Sequence, residues 1–321
     1  MDNPWSQIRK PDSDFNVRLV ESQHSLQLYW GLDTSDRYLL ILDTDATNLP
    51  DKDILPNITG ISLFAAREHS RGKLMLRLNE TANWELFHAL CLDLVRTTAG
   101  LTDGPEVGAM FVRRLNRWQD LFKKKRSELL PLELIKGLMG ELHVLSEYIA
   151  PVFGWDEAVS FWKGPEGAPQ DFAVNQTLLE IKCQAGSSKP HVRINSAEQL
   201  DPQLSEAYLV VLTVTNANDP ESGGLTLNEL VDRIRASVET KAPAVRERFE
   251  DLLFMAGYVT HEGYEKHRFD VVNLRSFQIR DDFPRIRSRD LSPGIENVSY
   301  TLNLNAFSGF ESKPGWWRER T

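Results

Sequence analysis

The sequence predicts a mixed α+β / α/β protein in which an α-β-β-β-α-β core follows an antiparallel β-rich domain and precedes a mixed α/β extension. Three observations carry this. Five strand-length apolar runs separated by turn residues fill residues 15 to 80. A stripe of apolar residues at helical spacing runs through residues 132 to 150. Residues 169 to 184, PQDFAVNQTLLEIKCQ, alternate with the period of two that a hairpin requires. Boundaries are expected near residues 105 and 225, giving a β-rich domain over 1–105, the core over 106–225 and the extension, packed on that core, over 226–321.

FNVRLV, SLQLYWGL, YLLILD, ISLFAA and KLMLRL supply the first sheet. The acids Asp43, Asp45, Asp51 and Asp53 lack the glycine and terminal glutamate of a calcium loop and read as solvated turn. Residues 82–99 have helical periodicity, and LTDGPE at 101–106 reads as a break between domains. The next helix, 107–126, buries Phe111, Leu115, Trp118 and Phe122 and carries Arg113, Arg114, Arg117, Lys123, Lys124, Lys125 and Arg126 on its other face. That face suits either phosphate contact or plain solvation.

The stripe over 132–150 is Ile135, Leu138, Met139, Leu142, Leu145 and Ile149, and Glu141 falls on its border, where it can look into a cleft or snorkel to the surface. Gly137 and Gly140 inside this helix each cost roughly 1 kcal/mol against Ala, which points to something packing closely on them. WDEAVSFWKGPEGAP reads as a loop before the hairpin. After it, HVRI (191–194) reads as a strand, Ser196 to Gln199 as a capping box opening a short helix, and AYLVVLTV (207–214) as a strand buried on both faces. Helices near 226–239 and 244–256, strands in KHRFDVVNLRSFQI and VSYTLNL, and an arginine-rich loop with Arg280, Arg285, Arg287 and Arg289 complete the chain. The Trp316-Trp317 tail either docks on the fold or meets another subunit.

Composition narrows the function classes. Of 321 residues, 41% are hydrophobic and 26% charged, an ordinary globular balance. The net charge of -9, from 46 acidic against 37 basic residues, confines any nucleic-acid contact to local basic patches. Cys91 and Cys183 form neither a disulfide framework nor a thiolate zinc site, which fits a reducing cytoplasm. No signal peptide or membrane span is expected. There is no Walker loop, G-x-G-x-x-G or G-x-S-x-G motif, and HEGYEKH at 261–267 lacks the second zincin histidine. His143 and His191 read as packing or surface residues, with His191, just after the hairpin, also placed to reach the site.

Joined by a turn at Asn175-Gln176, the hairpin places Asp171 opposite Glu180, and Asp171, Glu180, Lys182 and Gln184 share one side. Two carboxylates and an amine in that relation suit metal-assisted phosphodiester hydrolysis. Asp171 and Glu180 are expected as ligands of Mg²⁺ or Mn²⁺, the Ile181 carbonyl as a further ligand and Glu141 as an additional or water-mediated one. Lys182 is the expected catalytic amine, and Gln184 orients it or touches the phosphate. An E-x-K triplet alone is expected about once by chance in such a chain, and the same residues can form a cross-strand charge network on an exposed face.

The helix with Glu141, then Gln170-Asp171, then Glu180-Ile181-Lys182, then strand, helix and strand resemble the core of the PD-(D/E)XK nuclease superfamily, the restriction-endonuclease-like fold. More narrowly, the chain is similar to bacterial PD-(D/E)XK motif proteins associated with restriction and phage defence. The specific part of this resemblance covers residues 132–215, and the family's proline is displaced here to Pro169. The resemblance implies a Mg²⁺-dependent DNA endonuclease with Asp171 and Glu180 as ligands, Lys182 as catalytic lysine and Glu141 as the helix acid. DNA is the expected partner, with RNA open, and a homodimer or a multi-protein defence complex the expected assembly. The alternative is an inactive nucleic-acid-binding or assembly subunit of the same fold.

Overall fold

The computed structural model describes residues 3–80, 84–123, 130–186, 189–202, 206–217 and 223–318, the side chains of 120–123 aside. The chain divides into two compact units, Met1–Leu129 and Leu130–Thr321. The expected break at 101–106 therefore falls inside the first unit, and the segment after 226 belongs to the same unit as the hairpin.

In the first unit, β1 (Phe15–Leu19), β2 (Gln27–Asp33), β3 (Tyr38–Asp45), β4 (Ile61–Glu68) and β5 (Arg71–Leu78) form an antiparallel sheet ordered β1-β2-β3-β5-β4. Alternation puts Leu28, Trp30, Leu40, Leu42, Leu74 and Leu76 in paired positions on one buried face. Trp30 meets His88 of α1 (Trp84–Thr98) ring to ring at 5.5 Å. In α2 (Pro105–Lys123), Phe111, Leu115 and Trp118 are buried as their spacing requires. The basic face of α2 needs correction at Arg114, which is only 2% exposed and is bonded through Nε to Asp93 Oδ2 at 2.9 Å. A half-buried carboxylate partner on α1, Asp93, invisible to helical periodicity, turned this arginine inward. Lys124, Lys125 and Arg126 lie outside the described residues.

The second unit has three layers. Its central sheet is ordered β10-β11-β9-β7-β6, from β6 (Phe172–Val174), β7 (Thr177–Ala185), β9 (Glu206–Asn216), β10 (Leu225–Thr226) and β11 (Arg268–Gln278). The β7–β9 pair is parallel and the other pairs are antiparallel. On one face, α3 (Leu132–Val144), α6 (Leu227–Lys241) and α7 (Arg246–Met255) share a core with Phe172, Leu179, Ile181, Val210 and Leu212. On the other, a two-stranded sheet of β8 (His191–Ile194) and β12 (Tyr300–Asn303) packs Val192, Ile194 and Leu302 against Leu209, Val211 and Phe277.

Several local expectations change. The third strand, β8, pairs with β12 and not with the hairpin sheet. Ser196 makes no cap bond, and the segment after it is a single 3₁₀ turn, Ala197–Leu200. The capping box forms instead at Thr226, whose hydroxyl accepts from the Glu229 N–H while Glu229 accepts from the Thr226 N–H. The helix over 132–150 changes at Leu145–Ile149 to π geometry and resumes as α4 (Ala150–Phe153). The supposed loop after it contains α5 (Trp155–Phe161), whose Ala158 and Val159 are buried. Trp, Gly and Pro around a two-turn helix concealed its short apolar face. Trp317 docks on Tyr148 with ring centroids 4.5 Å apart.

A candidate active site of carboxylates and lysine

β6 and β7 pair as Phe172↔Leu179, Ala173↔Leu178 and Val174↔Thr177, a register that extends to Asp171 opposite Glu180. Asn175 opens the turn with a left-handed φ of 53°, a conformation Asn tolerates. Asp171, just before β6, accepts the Ile181 N–H on Oδ2 at 2.7 Å, so its carboxylate is tied to the strand that carries Glu180 and Lys182. Its carbonyl oxygen accepts the amides of Lys163 and Gly164 at 2.8 and 3.0 Å.

Glu141 arrives from α3. Gly140 beside it lets the helix lie against β7, since a methyl at that position would run into Cys183 Sγ and approach Ile181. Gly137 does not share that reason, as nothing lies within 4 Å of the position a methyl would take. The Glu141 carboxylate turns inward and accepts the Trp162 indole N–H on Oε2 at 2.7 Å, so the snorkelling alternative does not hold. Gly164 is wedged between the acids: a Cβ there would stand 2.9 Å from Asp171 Oδ1 and 3.3 Å from Glu141 Oε2.

Glu180 is 1% exposed, and the Lys182 ammonium lies 2.6 Å from its Oε1. Both Glu180 oxygens are buried, and that ammonium is the partner they meet among the described residues. Lys182 also donates to Gln199 Oε1 at 3.3 Å, and the same oxygen accepts the Asn195 N–H at 2.8 Å. Gln184 is directed to Thr213 on β9, with Nε2 to Oγ1 at 3.0 Å. His191 is exposed on β8, and the His143 ring lies tilted against Tyr148 with centroids 6.0 Å apart.

Burial and mutual repulsion dominate the electrostatics. Burial, then the Asp171 charge, pushes Glu141 up to about 8. Burial raises Asp171 to about 6 against the Ile181 amide and the Lys182 charge. Glu180 is pushed well above the carboxylate range by burial and by Asp171. Cys183, pushed up to about 12 by burial, is an unreactive thiol in this wall.

A family model described as "Putative PD-(D/E)XK family member, (DUF4420)" matches residues 1–305. The chain belongs to this PD-(D/E)XK family. No curated protein and no solved structure matches the chain. In this family member, the structure brings Glu141, Asp171, Glu180 and Lys182 into one cluster, with Gln184 further along β7. Trp162, Gly164 and Gln199 also belong to the cluster's surroundings and were missed by sequence reasoning. Trp162 and Gly164 sat in the segment read as loop, and Gln199 was assigned to a cap.

The donor set fits a hard divalent cation. Among the described residues no group of three or more His, Cys, Asp or Glu side chains is arranged to hold a metal ion. Two carboxylates plus a peptide carbonyl need no such trio, and the buried Glu180 carboxylate, met only by the Lys182 ammonium and standing beside a raised Asp171, offers oxygen that a cation would satisfy.

Proposed function

We propose that this chain is a metal-dependent endonuclease that hydrolyses DNA phosphodiester bonds in a restriction or phage-defence setting, working as a homodimer or within a larger complex. The observation that carries the reading is the convergence of Asp171, Glu180 and Lys182 at the hairpin, with Glu141 behind them. Asp171, Glu180 and the Ile181 carbonyl would hold Mg²⁺ or Mn²⁺, with Glu141 as a further or water-mediated ligand. Bound there, the cation supplies charge neutralisation on the phosphate and a more acidic water. Lys182, held by Gln199, directs an ammonium at the developing negative charge. Trp162 holds Glu141 against Asp171, and burial keeps bulk water from diluting these interactions. Gln184 orients the phosphate or the lysine from its place two residues beyond Lys182.

A second reading, an inactive nucleic-acid-binding subunit, draws on the Lys182–Glu180 contact at 2.6 Å, which closes one carboxylate on its own strand. Plasmid DNA and an RNA oligonucleotide incubated with the protein in Mg²⁺, Mn²⁺ or EDTA separate the two. DNA breakage only with the cation supports the enzyme. Tight binding by wild type and Asp171→Ala alike, with no breakage of either polymer, supports the subunit.

A further inference from the structure

The arginine-rich loop between β11 and β12 is built rigidly and next to the cluster. Phe283 is 3% exposed and packs between Phe307 and Phe310 at 5.1 and 5.2 Å between ring centroids. Further on, Ser288 donates through its hydroxyl to Glu198 Oε1 at 3.0 Å and through its N–H to Asp201 Oδ2 at 3.2 Å. Glu198 is held from the other side as well, its carbonyl accepting Gln170 Nε2 at 2.7 Å. One residue thus joins the loop to the neighbour of Asp171, and the next, Gln199, receives Lys182.

Between these anchors, Arg285 donates Nη1 to Arg280 O at 3.2 Å, and Arg287 donates to Asp281 O. The loop's ion pairs are Arg280–Asp282, Arg287–Asp281 and Arg289–Asp290, and Asp281 is fully solvent-exposed. Arg285 closes no ion pair among the described residues, and its Nε is buried without an acceptor. Tyr300, on β12, has a buried hydroxyl with no well-formed hydrogen bond, near the Ile286 amide. Its charged neighbours are Arg285, Asp201 and Glu180, which places it between the loop and the cluster. The two guanidiniums stand side by side, held by backbone carbonyls; Asp281 acts on both but is fully solvent-exposed, and Asp201 also acts on Arg285, so the pair keeps N–H donors that a further anion can take.

We propose that Arg285, Arg287 and Tyr300 form an anion subsite for a backbone phosphate of the nucleic-acid strand, flanking the phosphate that is cut. This rests on the nuclease reading and names the contact that seats the strand at that site. Guanidinium forks suit phosphate oxygens bidentately, and a preordered loop loses little entropy on binding. Burial keeps the Tyr300 phenol protonated and therefore a donor.

The test is fluorescence anisotropy of a labelled DNA duplex in EDTA, over a salt series, with Arg285→Gln, Arg287→Gln, their double variant and Tyr300→Phe. Arg289→Gln is the control, since Arg289 is 69% exposed and pairs with its neighbour. The double variant should bind about tenfold more weakly at low salt, with a salt slope lower by roughly 1, as expected for one lost phosphate contact. Tyr300→Phe should weaken binding two- to threefold with an unchanged melting temperature, which separates lost contact from lost fold. Equal losses for Arg289→Gln and Arg285→Gln would replace a subsite by a diffuse positive field and overturn the proposal. Unchanged binding by the double variant would overturn it while leaving the nuclease reading standing. A rise in melting temperature with inorganic phosphate that needs the arginines, without arginine-dependent DNA binding, would overturn the strand assignment. Absence of DNA binding and cleavage by wild type would remove both readings together.

Discussion

The Lys182 ammonium stands 2.6 Å from Glu180 Oε1, and both lie on the same side of β7, two residues apart. It is the cation nearest a carboxylate that is otherwise buried without a hydrogen bond. Lys182→Ala therefore removes the charged partner of Glu180, at a cost of up to about 3 kcal/mol. The loss should shrink in the double variant with Glu180→Gln. Urea denaturation of the single and double variants measures this.

Asp171 and Glu141 give the metal-free protein a defined pH dependence. Their ordinary values are 3.8 and 4.5, against about 6 and about 8 in the fold. The folded chain thus holds these protons longer than the unfolded chain, so their contribution is complete below the ordinary values and is lost as pH rises through the raised ones. In EDTA the melting temperature should fall between about pH 4 and about pH 8, and less steeply in Glu141→Gln. Millimolar Mg²⁺ or Mn²⁺ should restore it at the alkaline end, and Asp171→Asn should remove that rescue.

The two glycines of α3 predict opposite outcomes. Gly140→Ala drives a methyl against Cys183 and should cost about 1 to 3 kcal/mol. Gly137→Ala meets nothing within 4 Å and should stabilise the helix by about 1 kcal/mol. Thermal melts of the two variants give the comparison.

In the first unit, Arg114 and Trp118 both donate to Asp93 Oδ2, at 2.9 and 2.8 Å. Arg114→Ala leaves a half-sequestered carboxylate without its guanidinium and should cost about 3 to 5 kcal/mol. If Arg114 were one of a solvated basic row, the same change would shift the chemical-denaturation midpoint hardly at all.

Legibility in the sequence followed the range of the forces involved. The hairpin register, the buried strand β9 and the N-terminal strands are set by alternation between near neighbours, and the residues themselves carry that pattern. Glu141 could be placed on a border by helical geometry, but not turned inward, because its partner Trp162 comes from a segment with no clear period. Gln199 illustrates the same limit. Its position fits a local cap, yet its side chain accepts from Lys182 and from Asn195, contacts that only the assembled layers bring within reach. Arg114 was misread for an equivalent reason, since its acid lies 21 residues away on another helix.

The central claim is that Asp171 and Lys182 act directly in cleavage. The measurement that tests it is the initial rate of supercoiled-plasmid breakage with saturating Mg²⁺ or Mn²⁺, for wild type, Asp171→Asn and Lys182→Ala. Melting temperatures would first establish that each protein is folded at the assay temperature. The account predicts breakage by wild type that EDTA abolishes, and rates at least about 100-fold lower in both variants. Both variants cutting as fast as wild type would contradict it.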